Sequence, residues 1–320
     1  MNVLSSELRE QEAKTLYVIG NGFDRFHNMQ TNYCNFRRWL VEHNYGDDFV
    51  ATMEKMFPAI INEKPLLWMD FEHALGTSKP EQIHKDFFQG VDDGFCDPKI
   101  QVKVVNRIRP QLERIPDLLR EWIESVPLRG VSRRLDLSTE STYLTFNYSL
   151  TLENVYYIPS NRILHIHNSV KDRSPLITGH GKGPNTADFG NDYFNVEKSL
   201  ELISDEIDKL RKPVDKIISA HQKFFDSLRD ISHVVVFGFS ISDIDMPYFR
   251  EVFYRVQDDT KWYFVVHDEK AWKKYKSIVD NFSECYNAKS ASQYMNRMKP
   301  ENCKYICTQD LKMKQDMFTI

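Results

Sequence analysis

The chain has 320 residues, 41% hydrophobic and 28% charged, with a formal net charge of −4. That length can bury one large core or two smaller ones, and the interspersed charge offers no overall basic field for duplex nucleic acid. No uncharged apolar run reaches membrane-spanning length, and Met1 to Lys14 is polar and acidic, so a cytoplasmic protein with no membrane partner is expected.

The first element sets the organisation of the rest. Leu16 to Ile19 is a short apolar run of strand-favouring types, and Gly20, Asn21 and Gly22 follow at once, with Phe23, Asp24 and Arg25 opening a helix. In open α/β sheets that turn is where a phosphate can meet free backbone N–H groups, although Gly20-Asn21-Gly22 is only half of a dinucleotide fingerprint. A helix follows from about Asn32 to Glu42, capped by Thr31, with Tyr33, Phe36, Trp39 and Leu40 at helical spacing. Asp70 and Glu72 in WMDFEHAL open another helix; two apart, they cannot share a helical face as a metal pair. From Ile83 to Val126 the period stays helical, with Pro110 and Pro116 kinking or dividing the run. Residues 45–135 therefore read as a helical insertion or cap within a single domain spanning 1–320.

The second signal is Ser141 to Asn168. Tyr143 to Phe146 form a strand with Asn147 at its C-terminal end, Leu150 to Tyr157 a short helix, and Ile163 to His167 a second strand. Parallel strands would bring Asn147 and His167 to the edge that Gly20 and Gly22 occupy. His165 and His167, two apart, share one face of such a strand, a spacing that permits joint metal ligation but lacks a third ligand nearby except His180. PLITGHG, Pro175 to Gly181, is an edge strand or a loop entering the same cleft, and 182–195 is polar and turn-rich.

The third signal, His233 to Phe249, repeats the pattern of buried strand, small-residue turn and helix start. Gly238 and Ser240 make the turn, and Ser242, Asp243 or Asp245 caps the helix. Strand Trp262 to Val266, helix Glu269 to Asn281 and a last strand at Lys304 to Cys307 complete the chain. The five scattered cysteines, Cys34, Cys96, Cys285, Cys303 and Cys307, suit reduced thiols, and no metal is expected. The expected fold is α/β: a doubly wound, mainly parallel Rossmann-like sheet with a helical insertion and strands near 15–19, 142–146, 162–166, 233–237 and 262–266.

Seven segments together resemble the bacterial AbiH-like bacteriophage abortive infection family. They are GNGFD at 20–24, TNYCNF at 31–36, WMDFE at 68–72, TFNYSLTLENVY at 145–156, HIHN at 165–168, ITGHG at 177–181 and VVVFGFSISDIDMPYF at 234–249. That family in turn is similar to sirtuin-type nucleotide-binding domains. The resemblance implies NAD as ligand or substrate. Gly20, Asn21, Gly22 and Asp24 would line the dinucleotide, Gly238, Ser240 and Asp243 the adenosine side, and His167 and Asn147 would act at the nicotinamide ribose. The glycine that usually follows the histidine is Asn168 here, and the zinc-ribbon cysteines of sirtuin deacylases are missing, which disfavours protein deacylation. Hydrolysis of NAD to nicotinamide and ADP-ribose in anti-phage defence is then the leading expectation, with His167 as a base and Asn147 orienting water or sugar hydroxyls. Two alternatives stay open: a non-catalytic nucleotide-sensing or partner-binding defence module, and a metal-dependent nuclease built on His165, His167 and nearby acids. Other defence-system subunits, a phage trigger or a second copy of the chain are compatible partners.

Overall fold

Five consecutive buried residues, Thr15–Ile19, form the first strand of the computed structural model, which describes residues 9–61, 63–88, 98–181, 197–285, 300–309 and 311. A strand buried on both faces belongs inside a sheet covered by helices. Six strands build that sheet: β1 (Thr15–Ile19), β2 (Thr142–Thr145), β3 (Ile163–His165), β4 (His233–Phe237), β5 (Lys261–Val266) and β6 (Cys303–Cys307). Their order is β3-β2-β1-β4-β5-β6, with every neighbouring pair parallel. Val18 sits between Leu144 and Val236. The order reverses direction between β1 and β4, the position at which open sheets of this kind take ligands.

Both faces carry helices. Phe23 and Phe26 of the helix Asn21–Phe26 stand edge-on to Phe237 on one face, where Leu152, Val155 and Tyr156 join the same core. On the other, Phe249 and Phe253 of the helix Met246–Arg255 lie against Trp262, and Tyr275 of the helix Glu269–Cys285 lies against Phe264. The alternation of Trp262 and Phe264 against Tyr263 and Val265 is what divides the strand between two cores.

The chain divides into two compact units. The first, Met1–Gln30, Val126–Lys171 and Val214–Ile320, contains the whole six-stranded sheet; the second is Thr31–Ser125 with Asp172–Pro213. Phe36, Trp68, Phe71 and Trp122 form an aromatic cluster at the centre of the second unit. Its helix Tyr33–Glu42 is capped by Asn32, which accepts from the Asn35 N–H, rather than by Thr31, and Asp70 caps the helix Phe71–Gly76. Pro110 lies inside the helix Pro98–Glu113, and the run is divided at Arg114, just before Pro116. The polar stretch 182–195 lies outside the described residues. Among the described residues, no helix is long and apolar enough to cross a membrane.

Candidate functional site

Two glycine turns meet at the carboxyl edge of the sheet. The Gly20 N–H donates to the Phe237 carbonyl at 3.0 Å and the Gly22 N–H to the Gly238 carbonyl at 2.9 Å, so the turn after β1 is bonded to the turn after β4. The fit leaves no room for side chains. A Cβ on Gly22 would lie 2.5 Å from the Gly238 Cα, and one on Gly238 would lie 2.3 Å from the Phe23 nitrogen. Gly238 also sits at φ +63°, a left-handed conformation open to glycine. Two of the expected nucleotide-lining glycines thus have their N–H groups committed to backbone carbonyls, and neither amide is available as a phosphate donor.

Asp24, in the helix that begins at Asn21, is 1% exposed. Its carboxylate accepts from Ser149 Oγ at 2.5 Å and from Thr151 Oγ1 at 2.8 Å, and burial raises its pKa while these hydrogen bonds oppose the rise. The nearby Asn147 side chain opposes the rise as well. Asn147 is held from its backbone too. Its N–H donates to Thr145 Oγ1 at 3.1 Å, and its carbonyl accepts from Nδ1 of His165 at 2.9 Å. Its Oδ1 is buried and receives no hydrogen bond from the described residues.

His167 lies past the end of its strand. β3 stops at His165, and the chain turns through Asn168, whose φ is +62°. The expectation that both histidines share one strand face therefore does not hold: the turn sends them to different surroundings. His165 faces acceptors with both ring nitrogens, the Asn147 carbonyl and Oε1 of Glu153 at 3.0 Å, and cannot ligate a metal without giving one of them up. His167 is 3% exposed and sits edge-on to Phe146 and Tyr248, each ring 5.4 Å away. Phe146 in turn stacks on Phe239 at 4.0 Å. Oδ1 of Asp245 is 3.9 Å from Nε2.

Asn21, at the start of the helix after β1, and Ser240 and Asp243, in the segment after β4, are exposed. The structure thus brings Asp24 and Asn147 into one network and His167 into another with Asp245. Ser149, Thr151 and Tyr248 are absent from the sequence reading, and Asp245 figures there only as a cap. A buried acid in GNGFD needs hydroxyl donors, and the Ser-x-Thr of TFNYSLT is the one signal that could have supplied them. His180 lies in the second unit, fully buried, its Nε2 donating to the Ile207 carbonyl. Glu72 in that unit pairs with buried Lys212 at 2.7 Å.

A family model described as bacteriophage abortive infection AbiH matches residues 16–266. No curated protein and no solved structure matches the chain.

Proposed function

Because the chain belongs to the AbiH family of bacteriophage abortive infection proteins, we propose that it acts in phage defence by binding NAD or a related nucleotide and hydrolysing the nicotinamide N-glycosidic bond. The strand order 3-2-1-4-5-6 supports a Rossmann-like reading, since sheets of that order take dinucleotides where the order reverses. One observation carries the catalytic part: Asn147 and His167 stand at the carboxyl ends of the adjacent strands β2 and β3, beside that reversal. Water would attack C1′ of the nicotinamide ribose, nicotinamide would leave with the bonding electron pair, and His167 would accept the water proton. Asn147 would hold the water or a sugar hydroxyl through Oδ1. Asn21, Ser240 and Asp243 are the exposed polar groups that could meet the rest of the nucleotide.

His167 is enclosed, so ligand entry requires the loop carrying Phe239 and Asp245 to move. Ile241 in that loop is a β-branched residue held at φ +45°, a strained conformation of the kind found at switchable loops. The test is release of nicotinamide from NAD by the purified protein, alone and with phage-infected lysate as a source of activator. His167→Ala should abolish release with the circular dichroism spectrum unchanged, and absence of turnover under every condition sinks the proposal.

The enclosure of His167 favours a second reading, a nucleotide-sensing module without turnover. Mass spectrometry of the small molecules that co-purify separates the two: bound nucleotide recovered intact after long incubation supports sensing.

A further inference from the structure

The segment from Gly238 to Asp245, between β4 and the helix Met246–Arg255, is pinned at both ends. Gly238 is locked against the backbone of Gly22 and Phe23. At the far end the Asp245 and Met246 N–H groups donate to the Ser242 carbonyl at 3.0 and 2.8 Å, and Ser242 Oγ donates to Oδ2 of Asp245 at 3.1 Å. Between these anchors Phe239 and Ile241 are each 2% exposed, while Ser240 faces solvent. Ile241 is held at φ +45°, a left-handed conformation that a β-branched side chain disfavours and that persists only where the surroundings impose it. Two contacts on the preceding residue do so. The Phe239 ring stacks on Phe146 at 4.0 Å, and the Phe239 carbonyl accepts from the Tyr275 hydroxyl at 2.5 Å. Burial pushes the Tyr275 pKa up, so the phenol stays protonated and goes on donating.

The same segment borders His167. Asp245 ends it, Tyr248 follows in the first turn of the next helix, and Phe146 stacks on Phe239; all three stand around the imidazole. We propose that residues 239–241 are a gate over His167 and that Tyr275 is its latch. Opening breaks the Tyr275–Phe239 hydrogen bond, parts Phe239 from Phe146 and lets Ile241 leave its left-handed conformation. The proposal rests on the reading above in which a ligand reaches His167, and it adds what controls that access: the helix Glu269–Cys285, which carries Tyr275. One hydrogen bond and one aromatic stack set against backbone strain leave the closed form a small margin, so the gate opens without the sheet coming apart.

The test is carbethoxylation of histidines by diethyl pyrocarbonate in the full chain, resolved by peptide mass spectrometry, which reads access to His167 with no nucleotide present. His27, buried in the same unit with both ring nitrogens hydrogen-bonded, reports unfolding. In the wild type His167 should be modified at least ~10-fold faster than His27, because the gate opens locally. Tyr275→Phe keeps the ring and removes only the hydroxyl. It should raise the His167 rate by about 3- to 10-fold with His27 unchanged, the effect of losing one buried hydrogen bond. Phe239→Leu, which gives up the stack, should act in the same direction. A wild-type His167 as slow as His27 overturns the gate even if neither variant folds, and an unchanged His167 rate in Tyr275→Phe overturns the latch. Faster modification in the variants without any nicotinamide release upholds the gate and defeats hydrolysis alone.

Discussion

Oδ1 of Asp245 lies 3.9 Å from Nε2 of His167, beyond hydrogen-bond reach but close enough for charge to be felt. Catalytic hydrogen bonds in unliganded enzymes are often long and tighten when substrate arrives. If His167 takes the water proton, Asp245 stabilises the imidazolium that forms. His167→Asn should lower nicotinamide release by about 10² to 10⁴ while NAD binding survives, and Asp245→Asn should lower it less. Calorimetry for binding and a nicotinamide assay for turnover check both. A His167→Asn variant with full activity assigns the base elsewhere.

Gly238→Ala should cost at least ~3 kcal/mol, because a side chain there meets the Gly22 and Phe23 backbone and the left-handed φ is itself unfavourable for alanine. Urea denaturation followed by tryptophan fluorescence measures it. A variant as stable as the wild type would mean that the two turns are not locked together.

Asn168 occupies a left-handed position, φ +62°, where asparagine is one of the few tolerated side chains. The departure from glycine after the histidine is therefore conservative in backbone terms. Asn168→Gly should leave stability within a few tenths of a kcal/mol and keep activity, whereas Asn168→Ala should lose about 1 kcal/mol. Paired denaturation curves decide it.

His27 is held neutral. Its Nδ1 donates to the Phe23 carbonyl at 2.7 Å and its Nε2 accepts from the Tyr156 hydroxyl at 2.6 Å, while burial pushes its pKa down from 6.5 to about 4. The unfolded chain protonates this residue first, so its contribution is intact above pH 6.5 and is lost as pH falls toward 4, amounting to about 2 to 3 kcal/mol. Asp24, raised by burial, titrates with the opposite sign. The difference in melting temperature between wild type and His27→Gln across that window isolates His27. If that difference does not vary with pH, this account of His27 fails.

In the second unit, Lys212 Nζ is 2.7 Å from Glu72 Oε1 with its side chain 1% exposed. Lys212→Met leaves Glu72 without that buried cation and should destabilise by ~3 to 5 kcal/mol, and adding Glu72→Gln should recover part of the loss. Thermal unfolding of the single and double variants measures the coupling.

β1 and β4 are legible to the residue because Leu16 to Ile19 and Val234 to Phe237 are unbroken apolar runs that only a doubly covered sheet can bury. β3 is not. It is an edge strand of three half-buried residues, and the apolar pattern of ILHIH continues past the point where pairing stops. A period of two therefore misplaces His167 on the strand, where a left-handed turn at Asn168 redirects it. The interlocking of Gly20, Gly22 and Gly238 is equally hidden, because a glycine needed against another backbone reads the same as one needed against a phosphate. Asp24 illustrates the wider difficulty: its partners Ser149 and Thr151 lie 125 and 127 residues away and are set by tertiary contact, so the Ser-x-Thr alone does not say which acid it serves.

The strand at the middle of the sheet is the first to leave the ribosome. β1 ends at Ile19, yet its two neighbours begin at Thr142 and His233, so one of its hydrogen-bonding edges stays open until residue 142 has been made and the other until residue 233. Contacts this distant in sequence give slow folding, and an apolar strand with two bare edges invites pairing with another nascent copy. Synthesis therefore exposes Leu16 to Ile19 for far longer than the strands added last, and only the arrival of β4 removes the second bare edge. A truncation before His233 would yield a chain whose central strand is permanently half-paired, a form destined for chaperones or aggregates rather than for a smaller folded domain.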